Sequence, residues 1–198
     1  MAGRRTIAAA AAIWVVALLA PSARAGEPAA ELLAGIDRVL TLLDDPALRE
    51  HGRAEERRQA IRRFAGEIFD FEEIARRSLA RHWEARTPSE RDEFVQILRH
   101  LLERSFISKL DLYNGEKVAV LAEAIDGDEA TVKTQVVTQP GADVFPVDYR
   151  MVRRGDRWRA CDVVIGGVSL VKNYRAQFDK IIQRTSYAQL VKQVREKQ

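Results

Sequence analysis

The sequence predicts an α+β fold, in which helices pack over a four-stranded antiparallel sheet. Three observations predict it. Apolar residues recur at helical spacing before residue 115 and again after residue 167. Between these regions, apolar and polar residues alternate along four short segments. Glycine-centred turns, Asp126-Gly127-Asp128 and Arg154-Gly155-Asp156, join neighbouring segments, so adjacent strands are expected to run antiparallel.

The first 25 residues have the pattern of a secretory signal peptide. Arg4 and Arg5 precede an almost wholly apolar run, residues 7–20, and a small-x-small pattern ends at Ala25. The apolar run is too short for a comfortable transmembrane span. We therefore expect cleavage after Ala25, a single domain over residues 26–198, and export to a bacterial periplasm.

Charge and cysteine content exclude some classes of protein. Removing the three arginines of residues 1–25 from the 32 basic residues leaves 29, equal to the 29 acidic residues. This balance lacks the basic excess typical of nucleic-acid-binding domains. Cys161 is the single cysteine of the chain, so no internal disulfide forms, and a buried, inert thiol is expected.

The helices before the sheet are predicted from apolar spacing and end signals. A first helix carries an apolar stripe and ends near Asp44-Asp45-Pro46. A charged segment, residues 53–63, continues into a second apolar face, and residues 71–83 form a short helix. Thr87, Pro88 and Glu90 form a capping box that opens a long helix, which Asn114-Gly115 ends. Its apolar stripe comprises Phe94, Ile97, Leu98, Leu101, Leu102, Phe106, Leu110 and Tyr113.

The four strands are predicted at about residues 116–125, 129–138, 144–153 and 157–165, with a loop at Gln139-Pro140-Gly141 between the middle two. The inward-facing residues by alternation include Val132, Val136, Phe145, Val147, Tyr149 and Met151. After Gly166-Gly167 a helix begins, for which Ser169 is the predicted N-cap. Its apolar face comprises Val168, Val171, Tyr174, Phe178, Ile181 and Thr185, and a second short helix starts near Tyr187.

Motifs for catalysis or metal binding are absent from the sequence. There is no HExxH, CxxC, P-loop or GxSxG pattern. Asp148 and Asp162 interrupt otherwise apolar strands, and each either points outward or pairs with an arginine such as Arg150, Arg159 or Arg175. A general-base role for Asp148 or Asp162 in a cavity is an alternative. The arginine clusters of residues 57–63 and 76–81 form either a solvated helical face or a docking surface for an acidic partner or a lipid head group.

Two segments together resemble a known family. They are residues 69–83, FDFEEIARRSLARHW, and residues 158–178, WRACDVVIGGVSLVKNYRAQF. Both are similar to the MlaC, or toluene-tolerance, family of periplasmic phospholipid carriers, and the likeness extends from about residue 30 to the end of the chain.

The resemblance implies a curved antiparallel sheet of NTF2-like character, with helices that enclose an apolar lipid pocket. It implies a shuttle without catalytic activity or cofactor, whose cargo is a phospholipid. Its expected partners are an inner-membrane ABC transporter complex with a membrane-anchored substrate-binding ring, and an outer-membrane lipoprotein–porin complex. The expected role is maintenance of outer-membrane lipid asymmetry. A hopanoid or other apolar cargo is an alternative within the family.

With this resemblance, the helix after Gly166-Gly167 is expected to lie across the concave side of the sheet, so that both line the pocket. From periodicity alone, apolar stripes of this kind are more often part of a plain core. An enzyme with a cone-shaped cavity and an interaction module without a pocket are the competing hypotheses. The expected lipid-binding residues are Phe94, Leu98, Leu101, Leu102, Phe106, Val132, Val136, Val147, Tyr149, Met151, Val168, Val171, Tyr174, Phe178 and Ile181.

Overall fold

The computed structural model describes residues 27–49, 51–110, 113–137 and 144–196. The predicted signal peptide and the Gln139-Pro140-Gly141 loop lie outside the described residues. In the part of the chain that is described, no helix combines the length and apolar character needed to cross a bilayer.

Helices flank the sheet in sequence, as predicted. The helices are α1 (Glu27–Asp44), α2 (Pro46–Arg49), α3 (Ala54–Ile68), α4 (Phe71–Leu79), α5 (Pro88–Leu110), α6 (Leu170–Arg184) and α7 (Tyr187–Glu196), with short 3-10 helices at His51–Arg53 and Ala80–His82. The strands are β1 (Lys117–Asp126), β2 (Glu129–Val137), β3 (Val144–Arg154), β4 (Arg157–Ile165) and β5 (Val168–Ser169).

The sheet is an antiparallel meander in the order β1-β2-β3-β4-β5. The prediction of four strands was one too few, because a two-residue strand is too short for an alternation pattern. Bulges interrupt the pairing at Leu121 in β1 and at Cys161 in β4. Each bulge bends its strand and increases the local twist.

The predicted start and turn signals are confirmed. The Glu90 backbone N–H donates to Thr87 Oγ1, and the Thr87 backbone N–H donates to a Glu90 carboxylate oxygen. Gly166 and Gly167 have φ of 56° and 82°, which suits the two-residue turn between β4 and β5. The α5 helix is described to Leu110, and Tyr113 packs beside Leu110 against α1 and α3.

Two apolar clusters form most of the core. The helical cluster joins α4, α5, α6 and α7, and its largest fully buried side chain is Phe94. The sheet cluster joins α1 and the end of α3 to one face of the sheet, around Val132, Met151 and Trp158. Cys161 is buried as predicted, and burial raises the pKa of its thiol to about 11.

Candidate functional site

One face of the sheet is largely apolar, interrupted by Thr134 and by Glu123, which accepts a hydrogen bond from the Ala29 backbone N–H. Cα partners on neighbouring antiparallel strands point their side chains to the same face. By this register, Val132 and Tyr149 share a face, and so do Val136 and Phe145. Helix α1 covers one end of this surface through Leu32, which is buried in the sheet cluster.

The other end of the same face is open. Phe145, Ile165 and Val168 are 52%, 47% and 61% exposed, and we call these three residues the open apolar patch. Ile165 has Val147 and Val168 as its Cα partners, and Phe145 lies two residues before Val147 on β3. The patch therefore continues the sheet cluster to the molecular surface through the half-buried Val147. Such a group of exposed large apolar side chains is a candidate binding surface.

Tyr149 lies at the boundary between the closed and open ends of this face. On β3 it stands between Met151, which is fully buried, and Val147, which adjoins the open apolar patch. Tyr149 packs against the sheet cluster, and burial raises the pKa of its hydroxyl to about 12.

The structure divides the predicted lipid-binding residues between the two clusters. Val132, Val136, Val147, Tyr149, Met151 and Val168 lie on the apolar face of the sheet. The helical members lie in or against the helical cluster, namely Phe94, Leu98, Leu101, Leu102, Phe106, Val171, Tyr174, Phe178 and Ile181. The predicted position of α6 opposite these sheet residues is wrong.

Asp162 explains where α6 lies. It pairs with Arg150 in the β3–β4 register, so its side chain points to the face opposite Tyr149 and Val163. Its carboxylate accepts hydrogen bonds from Ser169 Oγ and from the Val171 backbone N–H. These bonds hold the first turn of α6 on the far side of the sheet from the sheet cluster.

A cavity of about 330 Å³ lies among α5, α6 and α7. Its floor includes four predicted residues, Leu101, Tyr174, Phe178 and Ile181. Its polar lining, which sequence reasoning missed, comprises Ser105, Asn173, Gln177 and Gln193. Asn173 and Gln177 are four residues apart on α6 and hydrogen-bonded to each other, a spacing that was visible in the sequence.

The acidic residues considered as bases differ in their surroundings. Asp162 is 2% exposed, and Arg150 Nε lies 3.9 Å from it. Arg175, the other partner considered, instead donates from Nε to the Arg77 carbonyl. Asp148 is half-buried on β3. Both carboxylate oxygens of Asp162 accept hydrogen bonds that position α6.

Arginines of the two predicted clusters form ion pairs. Arg76 and Arg77 both bind the buried carboxylate of Glu73, and Arg77 also reaches Glu129 on β2. Arg154, in the β3–β4 hairpin, also forms an ion pair with Glu73. Within the described ranges, no group of three or more His, Cys, Asp or Glu residues is arranged to hold a metal ion.

Comparison with known proteins identifies the family. The family model described as MlaC protein matches residues 34–196. The chain belongs to the MlaC family. The toluene tolerance protein ttg2D of Pseudomonas putida is 28% identical over 127 residues, which are 63% of this chain and 59% of that protein. The chain thus matches less than two thirds of the length of this curated relative.

A solved structure shares the MlaC-family fold. It is a phospholipid-binding protein from Ralstonia solanacearum, determined in complex with a phospholipid. The two structures superpose with a TM-score of 0.76 at 25% sequence identity, and the match covers 87% of this chain and 97% of the other. The α+β architecture with an open antiparallel sheet is therefore a shared one.

Proposed function

We propose that this MlaC-family protein binds a phospholipid, with its acyl chains against the apolar face of the sheet. The observation that supports this most is the open apolar patch, because it continues a buried apolar surface to solvent. The Ralstonia protein of the same fold, which was solved with a phospholipid, adds to this support. The lipid is cargo, and the protein needs neither a metal nor a cofactor.

The energetics explain why a carrier is needed. Burying an acyl CH₂ group is worth about 0.8 kcal/mol, so two chains with about 30 such groups cost on the order of 24 kcal/mol to expose to water. Aliphatic and aromatic side chains on the sheet provide a comparable environment. The charged head group stays near water at the open apolar patch, since its burial without partners is costly.

The role in the cell follows as a second part of the proposal. The mature protein acts in the periplasm after removal of residues 1–25. It carries phospholipid between the inner-membrane ABC transporter complex and the outer-membrane lipoprotein–porin complex, which maintains outer-membrane lipid asymmetry. Such a shuttle catalyses no reaction, and its affinity need only match that of the membrane interior so that it can unload.

Native mass spectrometry of gently purified protein tests the lipid-binding step. We expect a mass increment equal to one phospholipid, which is lost when Val147→Trp fills the space beside the open apolar patch. A sterol-like or hopanoid increment would identify the alternative cargo. Lipid-free wild-type protein that also fails to take up phospholipid from vesicles would refute the proposal and favour an interaction module.

A further inference from the structure

The hydroxyl of Tyr149 is a polar group without a partner in an apolar surface. Within the described residues it forms no hydrogen bond, and burial alone accounts for its raised pKa. Its neighbours on the same face are Val132 and Val163 on the adjacent strands, with Val147 and Met151 on its own strand. The Tyr149 side chain is partly buried, so its hydroxyl can donate a hydrogen bond to an acceptor that enters along this face.

We propose that Tyr149 donates a hydrogen bond to an ester carbonyl oxygen of the bound lipid and so selects ester-linked acyl lipids. The inference rests on the proposed function and specifies its ligand. It makes Tyr149 a specificity-determining residue, which favours diacyl lipids over polycyclic hydrocarbons that lack a carbonyl.

The position of Tyr149 selects the ester rather than the phosphate. Two residues along a strand span about 7 Å, so Tyr149 lies about that far behind Val147 and the rim. A phosphate carried this far into an apolar site would lose its hydration without a compensating cation. Ester oxygens are neutral and join the acyl chains to glycerol, so they are the acceptors that can enter with the chains.

The substitution that tests this leaves the shape of the site unchanged. Tyr149→Phe removes only the hydroxyl, and the lipid-free variant should unfold at about the same temperature as the wild type, because the hydroxyl forms no hydrogen bond within the described residues. A marked fall in unfolding temperature would show that the hydroxyl supports the fold instead, and would overturn the inference.

The ligand is varied in parallel with the residue. Displacement of a fluorescent fatty-acid probe is measured with two phosphatidylglycerols of equal chain length, one with ester-linked and one with ether-linked chains. We expect Tyr149→Phe to weaken the diester about fivefold, which is about 1 kcal/mol, and to leave the diether unchanged. Tyr187→Phe, beside the helical cluster, is the matched control and should leave the ester-to-ether ratio unaltered.

Each other outcome has a distinct meaning. Equal weakening of both lipids would assign the hydroxyl to the phosphate or to general packing, and would overturn the inference. No effect on either lipid would show that the hydroxyl bonds water rather than the lipid, and would also overturn the inference. If wild-type protein binds neither lipid, the proposed function itself fails.

Discussion

Asp162 and Ser169 join the last long strand to the helix that follows it. Asp162 Oδ2 accepts a hydrogen bond of 2.6 Å from Ser169 Oγ, while Oδ1 accepts one of 3.0 Å from the Val171 backbone N–H. Ser169 Oγ in turn accepts from the Lys172 backbone N–H, so the cap of α6 is itself held by the sheet. A buried carboxylate thereby fixes which side of the sheet α6 occupies.

Asp162→Asn should lower the free energy of unfolding by about 2 kcal/mol. The amide removes the charge from two buried hydrogen bonds, and hydrogen bonds to charged groups contribute about 1.5–3 kcal/mol. Urea denaturation at pH 7 measures the loss. Asp148→Asn is the matched control, because Asp148 lies on the neighbouring strand without a hydrogen bond or ion pair in the described part of the chain. Equal stability of the two variants would contradict this account of Asp162.

Glu73 should make stability depend on pH in the acid range. The hydrogen bond from Arg76, with that from Arg77, lowers the pKa of Glu73 from its ordinary 4.5 to about 2, against the opposing effect of burial. Its stabilising contribution is therefore fully present above about pH 4.5 and is lost as the pH falls towards 2. Solvent access to Arg76 and Arg154, each about half exposed, reduces this contribution to about 1–2 kcal/mol.

Urea unfolding of wild type and Glu73→Gln at several pH values measures this contribution. The difference in free energy of unfolding should be greatest at pH 5–7 and should vanish near pH 2. Glu72→Gln, on the exposed side of the same helix turn, is the matched control and should change the free energy of unfolding much less. A difference that did not change with pH would mean that the Glu73 side chain stabilises by packing rather than by charge.

Ala80→Gly should stabilise the protein by about 1 kcal/mol. Ala80 ends α4 with φ 49° and ψ −120°, a conformation that favours glycine. Residues held in such regions cost about 1–3 kcal/mol, and the greater unfolded-state freedom of glycine offsets part of the gain. Thermal unfolding measures the change. Ala85→Gly is the control, because Ala85 lies in the same connection without a positive φ, and it should be neutral or destabilising. If Ala80→Gly lowered the unfolding temperature as well, Ala80 would not be strained.

Local signals in the sequence predicted most of the elements but not how they pack. Thr87 and Glu90 satisfy each other within one helical turn, so the capping box was recognisable without tertiary information. Charge is visible in a sequence, so an arginine partner for Asp162 is predictable, and Arg150 forms this ion pair at 3.9 Å. The hydrogen bonds that Asp162 accepts from Ser169 and from a backbone N–H have no comparable sequence signal. The strained conformation of Ala80 had no sequence signal at all.

The candidate site shows the same limit. Alternation placed Val132, Val136, Val147 and Tyr149 on one face, and the strand register confirms this. Periodicity along α6 also gave its apolar face, but a periodic stripe does not specify what it packs against. The packing of α6 depends on Asp162 and on two other helices. Helix α4 is far from α6 in sequence, and α7 follows it.

The last prediction concerns the open apolar patch. Ile165→Asp should abolish co-purification of phospholipid and weaken its binding at least tenfold, because the carboxylate would have to be desolvated at the place that we propose for an acyl chain. Ile165 is 47% exposed, so the substitution should change the free energy of unfolding little. Native mass spectrometry and displacement of a fluorescent fatty acid measure the two effects.

Ile125→Asp is the matched control for this experiment. Ile125 is 52% exposed and, through its pairing with Ala130, lies on the same face of the sheet, but beside the β1–β2 turn. It should therefore retain bound lipid. Loss of lipid in both variants would indicate a general effect of charge on this face. Retention in both would place the acyl chains elsewhere, with the cavity among α5, α6 and α7 as the next site to substitute, because Leu101 and Phe178 line it.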